Sequence, residues 1–418
     1  MKLFAFIFFT LLFSITPAFS QQGRALNLKE CITLAQKAGY RLKSDEQKVE
    51  AMQKSFQFEQ SRNLPQISGE LAGEQRLLNL YSFNQTVALV HADWSLGDFL
   101  LKTAEAAKQD VLMTKAEKEQ SRLQTVRRAA LLYLSILQKQ TQADLLKNRH
   151  DLLQTHHAVA QALWQAGTRT QLDVLQTESE TSQLEEQMAR LDIERQNLLQ
   201  ELGRLMDVQK TESLLLHAID AAAICVRPTP EGAAGMLNSN PIMMALNYQI
   251  KAQQIRTRAV KAQQLPHLHA AGGYFADGDP TGDGNYWQID AGISLPLFQW
   301  GATKFQRQES QALTQSLQLQ QKHVQRELSI HIEQTIERLD KLKNVIDLQN
   351  KRLHTTQKAF QFAEANYQAG LITNLDYLSA QQQLTETQIA IRETQLQYVM
   401  NLVEFYVLTN QVEKIEAL

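Results

Sequence analysis

Breakers of regular structure are scarce in this chain, with 17 glycines and 8 prolines in 418 residues. Neither occurs between residues 98 and 166 or between 302 and 369. Nothing in those tracts ends a helix, and at about 1.5 Å of rise per residue each reaches roughly 100 Å, several times the width of an ordinary domain. Cysteine is nearly absent: Cys31 and Cys225 make no disulfide framework, and two separate small side chains are favoured over one bridge. An excess of one charge is missing as well. Lysine plus arginine number 42 against 44 acids, a formal net charge of -2, so nothing recommends a nucleic-acid partner.

Long apolar runs are confined to the N-terminus. Lys2 precedes the stretch Leu3 to Ile15, and Ala18-Phe19-Ser20 offers small residues for cleavage before Gln21. Residues 1–20 thus read as a secretory signal peptide, and glutamine rather than cysteine after the site gives no lipid anchor there. No later segment reads as a helical span, so entry into a membrane would have to use strands. Enzyme signatures are also lacking: there is no Gly-rich phosphate loop, no Gly-x-Ser-x-Gly and no His-Glu-x-x-His. His150, His156, His157, His267 and His269 do not have zinc-like spacing. No catalytic residue, cofactor or metal is assigned.

What is present is a duplication. Trp164–Leu175 and Tyr367–Leu378 agree at seven of twelve positions, namely Gln165/Gln368, Ala166/Ala369, Gly167/Gly370, Thr170/Thr373, Leu172/Leu375, Asp173/Asp376 and Leu175/Leu378. Each copy places a lone glycine where a helix C-terminus needs positive φ, so both are helix-turn-helix tips. Leu64-Pro65 recurs as Leu265-Pro266 at nearly the same offset. Leu328, Ile332, Leu339, Leu342, Ile346, Leu353 and Phe360 form a heptad-like stripe suited to coiled-coil packing.

Read in order, the first repeat spans 21–206: a helix over 27–63 interrupted near Gly39-Tyr40, strands about 66–96, a long helix 98–166 and a return helix 172–206. A linker covers 207–230. The second repeat, 231–410, has a helix from Pro241 to about Gln264, strands about 267–298, a long helix 302–369 and a return helix 372–409, leaving 411–418 as a C-terminal tail. Added together, the return helix of the first repeat and the 241–264 helix match a long helix in length. This suggests that they stack end to end, with the last half-helix and the N-terminal one forming a second stack.

The strand pairs alternate apolar and polar residues, most cleanly at Trp287, Ile289, Ala291, Ile293 and Leu295. Tyr81, Phe83, Trp94, Tyr274, Tyr286, Trp287, Phe298 and Trp300 flank them as interface aromatics would. Strand length and alternation fit a membrane barrel or a soluble sandwich equally; the leader and the helices favour the barrel. Four strands cannot close one, and lipid does not tolerate open edges, so several chains must share it.

With these features the chain resembles the TolC-family outer-membrane efflux proteins from about Leu26 to Thr409. The resemblance rests on the duplication, the Leu-Pro before each strand pair and the two Gly-x-x-Thr-x-Leu-Asp-x-Leu tips. It implies a mainly α fold with membrane β: a long-helix coiled-coil α-barrel, plus four strands per chain in a 12-stranded β-barrel shared by a homotrimer. It further implies a passive outer-membrane channel of a tripartite efflux or type I secretion system. A periplasmic adaptor (membrane fusion protein) and an inner-membrane pump of RND, ABC or MFS type would serve it. On the same ground Asp376 would stand at the pore constriction, and Gly167, Thr168, Gly370 and Leu371 would meet the adaptor where they are not simply turn residues. Read from the tips themselves, Arg169 and Asp173, with Thr373 in the other copy, could act in tip gating through inter-helix bonds that hold the tunnel shut, and an exposed, solvated tip fits them equally. From its residues alone, Asp376 equally caps the helix that begins there. Ser379 stands where the best-known family member has a second aspartate, which puts a double acidic ring in doubt. The alternatives are a periplasmic adaptor, which would carry one hairpin within β-rich domains, and an exported structural coiled coil, which would need no strands.

Overall fold

A computed structural model describes residues 25–77, 82–95, 102–208, 214–224, 228, 237–262, 266–277, 285–295 and 297–418. The leader, Tyr81, Gly97 and Cys225 lie outside them. Two long helices dominate, α3 (Thr103–Gln165) and α6 (Ala302–Gln368). Each turns at a tip and returns as a half-length helix, α4 (Gln171–Met206) and α7 (Asn374–Leu408). Shorter helices α1 (Leu28–Ala38) and α2 (Tyr40–Ser61) open the first repeat, and α5 (Pro241–Ala262) opens the second. The break at Gly39 falls where the spacing predicts it. Asn27 starts α1 through a capping box with Glu30.

The half-helices stack differently from the sequence expectation. Asn240 Nδ2 donates to Leu408 O at 3.0 Å and Asn410 Nδ2 to Ser239 O at 3.2 Å, so α5 abuts α7, while α1 meets α4. The partners are the first and last helices of the same repeat, not neighbours along the chain. The reason is geometric: a return helix half as long as its partner ends at mid-height, where the opening helix of that repeat begins. Toward the tips α3 packs against α4 on one side and α7 on the other, and α6 packs on α7. The lateral order there is α4, α3, α7, α6.

Strands β2 (Gln66–Leu77), β3 (Ser82–Ser95), β5 (His267–Asp277) and β6 (Tyr286–Ser294) form one antiparallel sheet in the order β2-β3-β5-β6. The β3–β5 pairing joins the two repeats. Since residues directly opposite share a face, the register Gly69↔Val90↔Tyr274↔Trp287 assigns Ile67, Leu71, Val90, Tyr274, Trp287, Ile289 and Ile293 to one side. Ser68, Glu70, His91, Asp93, His269, Gln288 and Asp290 occupy the other, together with the cross-strand row Leu89, Phe275 and Tyr286. The apolar side is open: Ile289 is 86% exposed, Leu71 83% and Trp287 77%. Among the described residues no helix is long and apolar enough to cross a membrane.

The main core lies at mid-height, where Cys31, Ile32, Val126, Tyr133, Leu202, Val399 and Leu402 are buried. Cys31 is free, and burial pushes its thiol up to about 12. Residues 411–418 are not a loose tail. They form α8 (Val412–Glu416), whose Val412 and Ile415 enter this core. A two-residue parallel pair, β1 (Ala25–Leu26) with β4 (Leu215–Leu216), crosses it. The Tyr133 hydroxyl sits against the carbonyls of His217 at 2.7 Å and Leu26 at 3.2 Å. Because that hydroxyl ties the start of the first repeat to the segment after it through part-buried carbonyls, Tyr133→Phe is expected to cost about 0.5–1.5 kcal/mol. The measurement is the urea midpoint of detergent-solubilised protein, and an unchanged midpoint would show that the contact contributes nothing.

Candidate functional site at the hairpin tips

Both tips close by the same hydrogen bonds. Gly167 N donates to Trp164 O at 2.9 Å and Thr168 N to Leu163 O at 3.0 Å; Gly370 N donates to Tyr367 O at 3.0 Å and Leu371 N to Asn366 O at 2.8 Å. This is the Schellman pattern, and both glycines have positive φ, 73° and 80°. A Cβ at either would meet nothing within 4 Å. Glycine is therefore required for conformation rather than for space.

The starts of the return helices differ. Thr373 caps α7 with a full capping box: Asp376 N donates to Thr373 Oγ1 at 3.2 Å, and Asp376 Oδ2 accepts from Thr373 N at 3.1 Å and Thr373 Oγ1 at 2.6 Å. The Thr373 hydroxyl and amide hold the Asp376 carboxyl below its usual range, although it is fully exposed. At the first tip Thr170 makes no such cap, and its hydroxyl instead approaches Asp173 Oδ1 at 3.3 Å. Of the two readings of Asp376 from sequence, the capping one is visible in a single subunit. Asp376 also lines a shallow cleft on α7 with Ser379, Gln383 and Glu386.

Arg169 does not reach Asp173. Its guanidinium crosses to the second hairpin, donating to Ile372 O at 2.9 Å and Tyr367 O at 3.2 Å, with its carbon 4.8 Å from the centre of the Tyr367 ring. Thr168 and Leu371 are at the outer surface, and Leu371 is 74% exposed.

Behind the tips lies a buried junction that the sequence reading did not identify. His156 stacks on Tyr377 with ring centres 3.9 Å apart, and Tyr367 packs against both. Asn374 Nδ2 donates to Asp173 O at 3.0 Å, so its Oδ1 must accept from His156 Nε2, 2.7 Å away. The proton thus sits on Nε2 of a neutral ring. Leu153, Leu184, Phe360 and Leu378 enclose the group. Burial pushes the Tyr377 hydroxyl up to about 12 and the His156 imidazole down. The signal was in the tip alignment itself. Of the five positions where the two copies differ, Arg169/Ile372, Gln171/Asn374, Val174/Tyr377 and Trp164/Tyr367 supply most of the residues of this junction. Among the described residues no three His, Cys, Asp or Glu side chains gather as a metal site would require.

The family model described as "outer membrane efflux protein" matches residues 32–207 and 235–411. The chain belongs to that family. Among its relatives, the outer membrane efflux protein BepC of Brucella suis is 23% identical over 316 residues, covering 75% of this chain and 68% of BepC. The pyoverdine export outer membrane protein OpmQ of Pseudomonas aeruginosa is 24% identical over 267 residues, 61% of this chain. That match spans 53% of OpmQ's length. In fold the chain is similar to CusC (TM-score 0.84, 17% identity, 91% of each chain). It is also similar to the CmeC channel of Campylobacter jejuni (TM-score 0.78, 15% identity, 92% of this chain and 85% of that one).

For a histidine held neutral, the unfolded chain binds its proton at higher pH than the folded one. Stability is therefore full above the unfolded value of about 6.5 and falls as pH drops through the window below it. Amide exchange in residues 366–378, corrected for intrinsic rate, is expected to speed up between pH 7.5 and pH 5.5. His156→Gln keeps a donor to Asn374 but cannot titrate, and should abolish the difference. Equal pH sensitivity in the variant would show that His156 is not the group responsible.

Proposed function

We propose that the chain is the outer-membrane duct of a tripartite export system, a homotrimer whose subunits each give four strands to a twelve-stranded barrel and four helices to a hollow stalk. The observation that carries this reading is the sheet: one face is apolar and open, the opposite face holds the charged and amide side chains beside Leu89, Phe275 and Tyr286, and among the described residues neither edge strand, β2 or β6, has a second partner. In lipid an unpaired edge leaves backbone groups unsatisfied at a cost of several kcal/mol each, so the sheet has to close through copies of itself. Outward apolar and inward polar faces are what a barrel around water requires. At about 1.5 Å per residue, the 63 residues of α3 separate this sheet from the tips by roughly 95 Å, a distance suited to a stalk reaching into the periplasm.

The stalk end is where a periplasmic adaptor would act, meeting Gly167, Thr168, Gly370 and Leu371. An inner-membrane pump of RND, ABC or MFS type supplies energy and selects cargo, and the duct performs no chemistry. Three Asp376 carboxylates around a narrow tip would draw cations and oppose anions. Arg169 supports a gating role by tying one hairpin to the other within a subunit, with Asp173 and Thr373 setting the two helix starts.

Purified protein reconstituted in planar bilayers is expected to form cation-selective channels, and the native protein to fractionate with the outer membrane as a trimer. Asp376→Asn removes charge while keeping an acceptor for Thr373 N, so the reversal potential in a KCl gradient should move toward zero. A reversal potential that stays put would leave Asp376 as a cap alone. In the sheet, Ile289→Arg is expected to cost about 2–4 kcal/mol if that face meets the middle of the bilayer. Normal assembly of this variant would contradict a lipid-facing β6.

A further inference from the structure

Near the tips the two edges of the helix layer carry opposite charge. Because α3 and α7 pack between them, α4 lies at one edge and α6 at the other. From Thr170 to Ala189 the chain has Asp173, Glu178, Glu180, Glu185 and Glu186 and no lysine or arginine. From Leu348 to Ala363 it has Lys351, Arg352, His354 and Lys358 and no aspartate or glutamate. On α4, Leu175, Ser182, Glu186 and Ile193 fall on the side opposite the buried Thr177, Leu184 and Leu191. On α6, Leu348, Lys351, Lys358 and Phe362 fall opposite the buried Phe360 and Tyr367.

Both outer faces expose large apolar side chains: Leu175 at 51% and Ile193 at 61% on α4, Leu348 at 64% and Phe362 at 68% on α6. Each face therefore has apolar ends around a charged middle. Glu180 and Glu185 are engaged inside their own hairpin by Arg149 and His150. Glu186 pairs with Arg190 one turn away on the same exposed helix, a contact weak enough to exchange. Glu178, Lys351 and Lys358 form no ion pair with the described residues of their own chain.

We propose that these two edges are the halves of one interface, the acidic α4 face of one copy docking on the basic α6 face of the next. The proposal rests on the trimeric-channel reading and adds the surface through which the stalk closes. Two unlike surfaces meeting head to tail generate a ring when the rotation closes. A like-to-like contact would set α4 acids against α4 acids, which costs free energy, so charge selects the ring over a two-fold dimer. Exposed pairs of this kind weaken with salt, which makes the tip end of the seam its separable part, while the apolar ends hold register.

The test uses the full chain in detergent. A zero-length carbodiimide is expected to link Lys351 or Lys358 to Glu178, Glu185 or Glu186 in dimer and trimer bands. Mixing isotope-labelled with unlabelled subunits separates links between copies from links within one chain, which matters because Arg169, beside the start of α4, already reaches Tyr367 of α6 at the tip. Lys351→Glu with Lys358→Glu should speed subunit dissociation roughly tenfold or more, and adding Glu178→Lys with Glu186→Lys should restore the slow rate. Outer-membrane trimers whose links join other helices, or whose dissociation ignores the reversal, would overturn the seam and leave the channel reading standing. Recovery of the protein as a periplasmic monomer would overturn both.

Discussion

Unpaired backbone at the two ends of a four-stranded sheet is the constraint from which the rest of this structure follows. Among the described residues strands β2 and β6 have one hydrogen-bonded neighbour each, and one face they share is apolar and open to its surroundings. Neither condition is stable for a lone subunit in water or in lipid, since water disfavours the face and lipid disfavours the edges. One arrangement satisfies both, in which copies pair edge to edge and turn the apolar face outward. The helical layer repeats the situation in another form, with outward apolar and charged stripes on α4 and α6 that the subunit does not cover.

Within one subunit stability is concentrated at two heights. The mid-height core gathers α1, α3, α4, α7 and α8, and the Tyr133 hydroxyl bridges the carbonyl of Leu26 at the start of the first repeat and that of His217 in the linker after it. The tip junction is smaller and mixed, a neutral histidine between two tyrosines with an asparagine turning the hydrogen bonds from one hairpin to the other. Between them runs coiled-coil packing that is partly polar: α7 buries Gln381, Thr385, Thr387, Thr394 and Gln395, and Arg149 pairs with Glu180. A stalk fastened at its middle and its end can change curvature between those points without losing its core.

The tips show what duplication does and does not reveal. Positions identical in both copies report what every tip needs: glycine at positive φ, and threonine and aspartate at the helix start. Positions that differ report where one hairpin packs on the other, because a junction between two unlike partners cannot be symmetric. Identity pointed to Asp173 and Asp376, whereas Arg169, Asn374 and Tyr377, all at differing positions, hold the hairpins together with His156.

By itself the sequence determined the two repeats, the long helices, the turn glycines, the strand alternation and the acidic and basic tracts. Each is local, written in the period and chemistry of adjacent residues. Tertiary structure alone decided that α5 stacks on α7 rather than α4, that the partners of Arg169 are the carbonyls of Ile372 and Tyr367, that α8 is core, and that α4 and α6 form the edges. Those outcomes depend on which surfaces meet across some 200 residues of chain, and a helix period says which face is buried but never what buries it.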